Sequence, residues 1–188
     1  MKTSTETAHV ETAVFGGGCF WCTEAVFMRL RGIHSITSGY AGGTHPKPNY
    51  FLVSEELTGH AEVIKIEFDP SIISYGQLLD IFWHVHDPTT VNQQGADVGT
   101  QYRSIILYTT PEQKVLAEES KETLKKSGVF RDPIVTEIQE LGEFFPAEEY
   151  HQRYYDRNTT QPYCDVVISP KVTKLLQKYH GLVDPKYH

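Results

Sequence analysis

One stretch near the start of the chain constrains the fold more than any other feature. Residues 13–22 read AVFGGGCFWC, in which three glycines separate an apolar run from two cysteines. Val10–Phe15 has the composition of a short strand, whereas Cys19–Leu30 contains no Gly or Pro and has its apolar residues at helical spacing. The sequence therefore predicts a strand that turns sharply at the glycines and enters a helix at Cys19.

A cysteine at this position has a physical consequence. The first N–H groups of a helix lack partners within the helix and, together with the helix dipole, stabilise an anion by roughly 0.3–1 kcal/mol. A free thiol has a pKa of about 8.5, and a helix start lowers it. We therefore expect Cys19 to be a reactive thiolate, with the glycines letting the backbone approach a substrate. An inert, buried Cys19 is the alternative, but it leaves the three glycines and the second cysteine unexplained.

Composition restricts the class of protein. The 188 residues fit one domain, and we expect residues 1–9 to be a flexible tail and residues 10–188 to form the catalytic domain. A net charge of −7 argues against a broad nucleic-acid-binding face. The polar start lacks the apolar core of a signal peptide, and no run is long enough to span a bilayer. With three cysteines, an odd number, we predict a cytoplasmic enzyme without structural disulfides.

Apolar spacing and turn residues predict strands interleaved irregularly with helices. The predicted fold class is α+β, a single domain with a mixed β-sheet covered by helices and a ferredoxin-like core. The predicted strands are Val10–Phe15, Ile33–Tyr40, His60–Phe68, Tyr102–Tyr108 and Ile134–Ile138. The predicted helices are Cys19–Leu30, one beginning at Ser74, one from Thr110 to Gly128, Pro146–Asn158 and Pro170–Tyr179.

The strand His60–Phe68 carries an acidic residue on its apolar face. Side chains alternate along a strand, so that Glu62 shares a face with Ile64, Ile66 and Phe68. Burial there would raise the pKa of Glu62 and make it a general acid at neutral pH. Two alternatives explain the sequence equally well at this point: Glu62 reaches solvent at the end of the sheet, or it is paired with an arginine.

Cys19 and Cys22 also form a Cys-x-x-Cys unit. A zinc site would need two further ligands, and His84 and His86, two residues apart on a predicted helix, point in different directions, so no metal is predicted. A thioredoxin-like disulfide oxidoreductase using Cys19 and Cys22 is the main alternative function. Two large aromatics, Phe20 and Trp21, stand between the thiols, and these are more typical of the wall of a pocket for a small apolar group.

Across nearly its whole length the chain resembles the peptide methionine sulfoxide reductase A family. The resemblance rests on six motifs in order: GGGCFWC at Gly16–Cys22, SGYAGG at Ser38–Gly43, TGHAEVIKIEFDP at Thr58–Pro70, FWHVHDPTT at Phe82–Thr90, QGADVGTQYRS at Gln94–Ser104 and FFPAEEYHQ at Phe144–Gln152. It implies that Cys19 is the nucleophile attacking the sulfur of methionine sulfoxide. It also implies that Phe20 and Trp21 hold the methyl group and that Glu62 protonates the oxygen.

The same resemblance gives Tyr50 and Tyr102 hydroxyls that hydrogen-bond the sulfoxide oxygen, and makes Asp97 a residue that organises the site. A second thiol then converts the Cys19 sulfenic acid to a disulfide. The candidates are Cys22 and Cys164, and the sequence leaves the choice open. Side chains three apart on a helix diverge, which counts against Cys22, whereas Cys164 follows a tyrosine as in many relatives but lacks nearby glycines.

Chemistry and resemblance together imply the partners. A sulfoxide oxygen leaves only when it is protonated or strongly hydrogen-bonded, which a thiolate, a neutral acid and two phenols would provide. The resemblance implies reduction of the S epimer of methionine sulfoxide, free or in oxidised proteins, as a repair of oxidative damage. No bound cofactor is expected. Thioredoxin or another dithiol would be the external reductant, and no heptad pattern indicates more than a monomer.

Overall fold

The computed structural model describes residues 9–187. All but the last residue of the predicted tail, residues 1–9, lies outside this range. The described chain is one α+β domain whose main sheet is mixed, as predicted. Its strands are β1 (Glu11–Gly17), β2 (Ile33–Ala41), β3 (Ala61–Phe68), β6 (Ser104–Tyr108), β7 (Glu137–Glu140) and β8 (Phe145–Pro146), and a separate hairpin joins β4 (Gln93–Gln94) to β5 (Asp97–Val98).

The strand order in the sheet is β7-β6-β1-β3-β2-β8, with β6 and β7 parallel and the other neighbours antiparallel. The helices are α1 (Phe20–Phe27), α2 (Tyr50–Ser54), α3 (Tyr75–Val85), α4 (Pro111–Ser127), α5 (Tyr154–Arg157) and α6 (Ser169–Lys178). The chain order β1-α1-β2-β3-α3-β6 with the central strand order β6-β1-β3-β2 is ferredoxin-like, which confirms the predicted core.

Alternation along the strands divides the apolar residues between two faces of the sheet. Phe15, Ile64 and Ile66 are fully buried in the main core, which also holds the inner faces of α1, α3 and α6. Val14 and Val63 point the other way into a smaller core. Glu62 lies on the helix-covered face by the same alternation, so the predicted placement of its side chain is correct.

Local sequence signals set the helix ends. Ser74 caps α3 through a capping box with Gln77. Thr110 accepts a hydrogen bond from the Gln113 N–H at the start of α4, and Gly128 ends that helix with a left-handed φ of 67°. Among residues 9–187, no helix is long and apolar enough to cross a membrane.

The predicted helix over Pro146–Asn158 is wrong. Pro146 pairs with β2, and a short 3₁₀ turn over Glu149–His151 precedes the single turn of α5. Arg153, between them, has a left-handed φ of 53° and donates its N–H to the Glu24 carboxyl at 2.9 Å. Hydrogen bonds to other parts of the chain replace the local helical ones.

The remaining differences are at element ends. The strand predicted from Tyr102 begins at Ser104, after a 3₁₀ turn over Thr100–Tyr102, and the strand predicted at Ile134–Ile138 is shifted to β7. A π-helical segment, Cys164–Ile168, runs directly into α6. The short elements α2, β4, β5 and β8 were not predicted, because few residues carry the pattern of each.

Candidate active site

The glycine turn places Cys19 directly before α1. Gly18 has a left-handed φ of 94°, and Cys19 has an extended backbone with φ −57° and ψ 126°. A Cβ atom on Gly16 would lie 2.9 Å from the Glu62 carbonyl oxygen, which explains why this position at the end of β1 requires a glycine. The turn thus brings the cysteine against β3.

Cys19 opens into a small cavity of about 70 Å³. A water molecule occupies about 30 Å³ of liquid, so this space suits a group of a few heavy atoms rather than a whole amino acid. The structure brings together all seven residues to which the resemblance gave a role in the first step, and it adds Tyr163. The lining residues are Cys19, Phe20, Trp21, Tyr50, Glu62, Asp97, Tyr102 and Tyr163.

The Glu62 carboxyl is held in the wall of this cavity. Its side chain is 2% exposed, and Oε2 accepts a hydrogen bond from the Phe20 N–H at 3.0 Å. Burial raises the pKa of Glu62 to about 8, and the nearby Asp97 and Cys22 add to the rise, against the opposing effect of the Phe20 N–H. The alternatives of a wet sheet end or an arginine pair are therefore wrong, and Glu62 is neutral at pH 7.

The expectation that Cys19 is a thiolate is wrong for the resting protein. Burial raises the pKa of Cys19 well above its ordinary value, and hydrogen bonding to Cys22 and the negative charge of an ionised Glu62 act in the same direction. Tyr163 opposes them by hydrogen bonding to the thiol. Desolvation outweighs the weak attraction of the helix N–H groups, and Cys19 rests as a thiol.

The pKa of Cys22 is shifted in the opposite direction. The hydrogen bond with Cys19 lowers the pKa of Cys22 to about 7 against the effect of burial, with help from the charge of Lys171 and from Tyr163. The two sulfurs are thus a coupled pair in which Cys22 is the more readily ionised member. Cys19 precedes the first helical residue, so the rule that side chains three apart on a helix diverge does not apply to Cys19 and Cys22.

Tyr163 is the site residue that sequence reasoning missed. Its hydroxyl donates to Asp97 Oδ2 at 2.7 Å and lies 3.8 Å from Cys22 Sγ, across 141 positions of sequence. Burial raises the pKa of both Tyr163 and Tyr102, so each hydroxyl stays a hydrogen-bond donor. Only the place of Tyr163 directly before Cys164 could have drawn attention to it.

Trp21 is fixed from outside the cavity. Its Nε1–H donates to His151 Nδ1 at 3.1 Å, and its ring stacks on Tyr154 with centroids 3.7 Å apart. His151 Nε2 lies 3.7 Å from Glu148, whose other carboxyl oxygen accepts from the Tyr50 N–H. The motif FFPAEEYHQ thus supplies the support of the aromatic wall.

Cys164 lies apart from the cavity. Its side chain is fully buried at the start of the π-helical segment, and burial raises the pKa of its thiol, with a further rise from the charge of Cys22. The predicted divergence of His84 and His86 is confirmed, since His84 bonds to Tyr179 and His86 to Ser104. Among residues 9–187, no three His, Cys, Asp or Glu side chains come together as metal ligands.

A cysteine thiol, a neutral carboxylic acid and phenol hydroxyls thus line one small cavity on an α+β scaffold. This combination defines a cysteine-dependent enzyme that can deliver a proton to the group its thiol attacks. The family model described as peptide methionine sulfoxide reductase matches residues 11–182. The chain belongs to the peptide methionine sulfoxide reductase family.

Individual relatives agree with this assignment. A peptide methionine sulfoxide reductase MsrA of Nautilia profundicola is 54% identical over 165 residues, which are 88% of this chain and 94% of that protein. The crystal structure of Mxr1 from Saccharomyces cerevisiae in reduced form has a TM-score of 0.78 at 33% identity, covering 85% of this chain and 91% of that one. Mxr1 in complex with Trx2 has a TM-score of 0.56 at 26% identity, covering 81% and 91%.

Proposed function

We propose that this chain reduces methionine sulfoxide to methionine, with preference for the S epimer at sulfur, as a repair of oxidised proteins or of the free amino acid. The observation that carries the proposal is the neutral Glu62 carboxyl beside the Cys19 thiol in a cavity of about 70 Å³. Family membership supports it, and the thioredoxin-like alternative is not favoured. We assign this catalysis to residues 10–188.

In the first step Cys19 attacks the sulfoxide sulfur while the oxygen gains a proton. We assign the methyl group to the wall formed by Phe20 and Trp21, and the oxygen to Glu62 and the hydroxyls of Tyr50 and Tyr102. Glu62 gives its proton to the oxygen, and the proton lost by Cys19 restores it. The oxygen passes from the sulfoxide to Cys19, which becomes a sulfenic acid, and methionine is released.

Asp97 has a supporting role in this scheme. Its carboxyl accepts the hydrogen bond of Tyr163 at 2.7 Å, which holds that hydroxyl beside the thiol pair. When Cys19 ionises, the Tyr163 hydroxyl can donate its hydrogen to the thiolate instead and so favours the ionised form of Cys19. We therefore add Tyr163 to the catalytic residues and treat Asp97 as the residue that positions it.

In the second step we assign the attack on the sulfenic acid to Cys22. Thiolates, not thiols, are the attacking species, and a pKa of about 7 makes Cys22 partly ionised at neutral pH. Cys164 is a buried thiol with a raised pKa. A disulfide Cys19–Cys22 forms, water is lost, and an external dithiol reduces the bond. The Mxr1 complex with Trx2 supports thioredoxin as that dithiol.

A single turnover with methyl-sulfoxide substrate and no external reductant tests the scheme. We expect the wild type and Cys164→Ser each to lose two thiols and release one methionine. Cys22→Ser should release methionine but lose one thiol, leaving a sulfenic acid that dimedone traps. Cys19→Ser should release none. Methionine release by Cys19→Ser would refute the proposed function, and loss of two thiols in Cys22→Ser would refute the assignment of Cys22.

A further inference from the structure

The phenol of Tyr50 stands on an element that has little packing of its own. Helix α2 has five residues, and Val53 is the one among them that is buried. Tyr50 is 37% exposed, and the next residue, Phe51, is 67% exposed. A helix this short gains too few hydrogen bonds to offset the cost of forming its first turn. Contacts from outside α2 therefore fix the direction of the Tyr50 side chain.

Glu148 supplies such a contact from 98 positions further along the chain. Its Oε1 accepts a hydrogen bond from the Tyr50 N–H at 2.8 Å, and its Oε2 accepts one from the Tyr40 hydroxyl at 2.8 Å. Burial favours the neutral acid, but the hydrogen bonds outweigh it and hold the pKa of Glu148 below its ordinary value. The far end of the helix is anchored separately, by the Glu56 carboxyl that accepts from the Thr100 N–H. Glu148 is thus the anchor of the end that carries Tyr50.

The backbone around Glu148 is held on the main sheet. The N–H of the preceding residue, Ala147, donates to the Ser38 C=O of β2 at 2.9 Å. The Gln152 side-chain amide bonds the N–H and the C=O of Ser38 at 2.9 Å each, and the Ala147 C=O at 3.0 Å. Ser38 and Ala147 are both buried. Glu148 therefore joins a poorly packed helix to a well-packed part of the sheet.

Glu148 is distinct from the groups that touch the substrate. Among residues 9–187, those that line the substrate cavity do not include it. Its Oε2 lies 3.7 Å from His151 Nε2, which is longer than a hydrogen bond, so Glu148 is not bonded to the histidine that supports Trp21. The Tyr50 ring packs on the His151 ring with centroids 4.7 Å apart. The histidine thus limits the movement of the ring, while Glu148 holds the backbone.

Tyr102, the second phenol assigned to the sulfoxide oxygen, is anchored by other groups. It ends a 3₁₀ turn, and the next residue, Arg103, bonds two backbone carbonyls. Its guanidinium donates to the Thr100 C=O at 2.9 Å and to the Gly59 C=O at 3.0 Å. Neither hydrogen bond involves Glu148. A change at Glu148 should therefore leave Tyr102 in place.

We propose that Glu148 is a positioning residue for the first step: by binding the Tyr50 N–H it fixes α2 so that the Tyr50 hydroxyl meets the sulfoxide oxygen. The hydroxyl stabilises the negative charge that this oxygen gains as its bond to sulfur weakens, and Glu148 acts through that hydroxyl. This inference rests on the proposed function. It adds a residue outside the cavity to those that set the rate of methionine release.

The size of the effect is limited by that of the Tyr50 hydroxyl itself. Removing one preorganised donor at a developing charge slows a reaction by about 10²–10³-fold. Glu62 and Tyr102 share this oxygen, so we expect a smaller loss, about 10- to 100-fold, for Tyr50→Phe. Displacing a donor costs no more than removing it. Glu148→Ala should therefore slow methionine release by about 10-fold, and by no more than Tyr50→Phe does.

A double-mutant cycle on the full chain, followed as the single-turnover rate of methionine release, tests the proposal. Glu148→Ala should slow a Tyr50→Phe protein by less than about 2-fold, because the hydroxyl that it positions is already gone. In a Tyr102→Phe protein the same change should keep its whole effect. Glu149→Ala is the matched control, because Glu149 is the next residue, is 83% exposed and bonds Arg157. It should leave the rate unchanged.

Glu148→Gln is the conservative variant. Its amide oxygen can accept from the Tyr50 N–H and its amide nitrogen can donate to the Tyr40 oxygen, so it should keep most of the wild-type rate. Thermal unfolding shows whether Glu148→Ala folds. If it does not, the same cycle uses Glu148→Asp, whose shorter side chain cannot reach both partners, and the same dependence on the Tyr50 hydroxyl is expected.

A loss of rate that persists in the Tyr50→Phe protein, or one that Glu149→Ala shares, would show a general structural role and overturn the inference. So would a wild-type rate in Glu148→Ala. Failure of the proposed function is recognised separately, because it would appear as equal methionine release by the wild type and Cys19→Ser, without any change at Glu148.

Discussion

At the scale of single residues, the charge state of Glu62 decides what the site can do. A backbone N–H at 3.0 Å favours the ionised carboxylate, and burial with 2% exposure favours the neutral acid. Burial wins, since one hydrogen bond offsets only part of the cost of removing a charge from water. The Phe20 N–H thus orients the acid without ionising it, and the proton remains available at neutral pH.

Replacing the acid should remove the proton without moving the side chain. In Glu62→Gln the amide oxygen can still accept from Phe20, so we expect the cavity to persist while methionine release slows by about 10²-fold or more. Wild-type activity should fall above pH 8, where Glu62 ionises, and the variant should lack this decline. Single-turnover rates between pH 5 and 10 measure both, and an identical alkaline decline in the variant would contradict the assignment.

The same substitution has a stability effect whose sign follows from linkage. The pKa of Glu62 is about 8 in the folded protein and about 4.3 in an unfolded chain, so the folded state binds the proton more tightly. The stabilisation that Glu62 contributes to the free energy of unfolding is fully present below about pH 4. It is lost as pH rises through 8, by about 1.4 kcal/mol per pH unit. In urea unfolding, the free energy of unfolding of Glu62→Gln should therefore rise relative to that of the wild type between pH 5 and pH 8.

Sequence reasoning located some site residues better than others. Strand alternation placed Glu62 on the buried face, and the glycine turn placed Cys19 before a helix. The protonation of Cys19 could not be predicted, because desolvation depends on how the whole site closes. Tyr163 was missed for a similar reason, since 141 positions separate it from Cys22 and no local pattern records that contact.

At the scale of elements, the start of α1 depends on one strained position. Gly18 has a left-handed φ of 94°, and the Gln94 side chain that packs over it bonds the Asp87 N–H and C=O at 2.9 and 3.0 Å. The glycine turn and the loop after α3 therefore support each other. The position of Cys19 depends on both.

Gly18→Ala tests this support against a matched control. An added methyl would meet Gln94 Cγ at 2.6 Å, whereas at Gly128, φ 67°, it would meet no described atom within 4 Å. We expect Gly128→Ala to cost about 1 kcal/mol with full activity, from backbone strain alone. Gly18→Ala should cost about 2–4 kcal/mol and lower activity at least tenfold. Equal costs in urea unfolding would rule out the role of Gln94.

Elements with self-contained signals were predictable, and those fixed by distant partners were not. The capping box at Ser74 and the glycine stop at Gly128 correctly gave two helix ends. The helix proposed for Pro146–Asn158 failed because Arg153 adopts a left-handed conformation to reach Glu24. Its sequence is compatible with a helix, and only the folded environment outweighs that preference.

At the scale of the molecule, the last fifth of the chain packs over α1 and the residues that follow it. The Arg29 guanidinium, 9% exposed, bonds Asp156 at 2.9 Å and lies over the Tyr155 and Tyr187 rings at 5.0 Å each. Leu30 also forms an isolated bridge with Val183. These contacts hold the segment that places Tyr163 beside the thiol pair.

Removing the Arg29 charge should loosen this closure. A buried pair that loses one partner costs about 3–5 kcal/mol, and since Asp156 is 29% exposed we expect about 2–3 kcal/mol for Arg29→Met. Arg153, 56% exposed and 3.6 Å from the same carboxyl, is the control, and Arg153→Met should cost under about 0.5 kcal/mol. Similar urea midpoints for both variants would contradict this account of the closure.

The separation of Cys22 from Tyr163 also matters while the protein is being made. At about 5–20 residues per second, roughly 7–28 s pass between the synthesis of Cys22 and that of Tyr163, 141 positions later. Disulfides form in seconds to hours. The cysteine pair is thus most exposed to oxidants while the chain is still on the ribosome, before the segment that contains Tyr163 has been synthesised. A newly made molecule that has already closed its disulfide must meet a reductant before it can act on its first substrate.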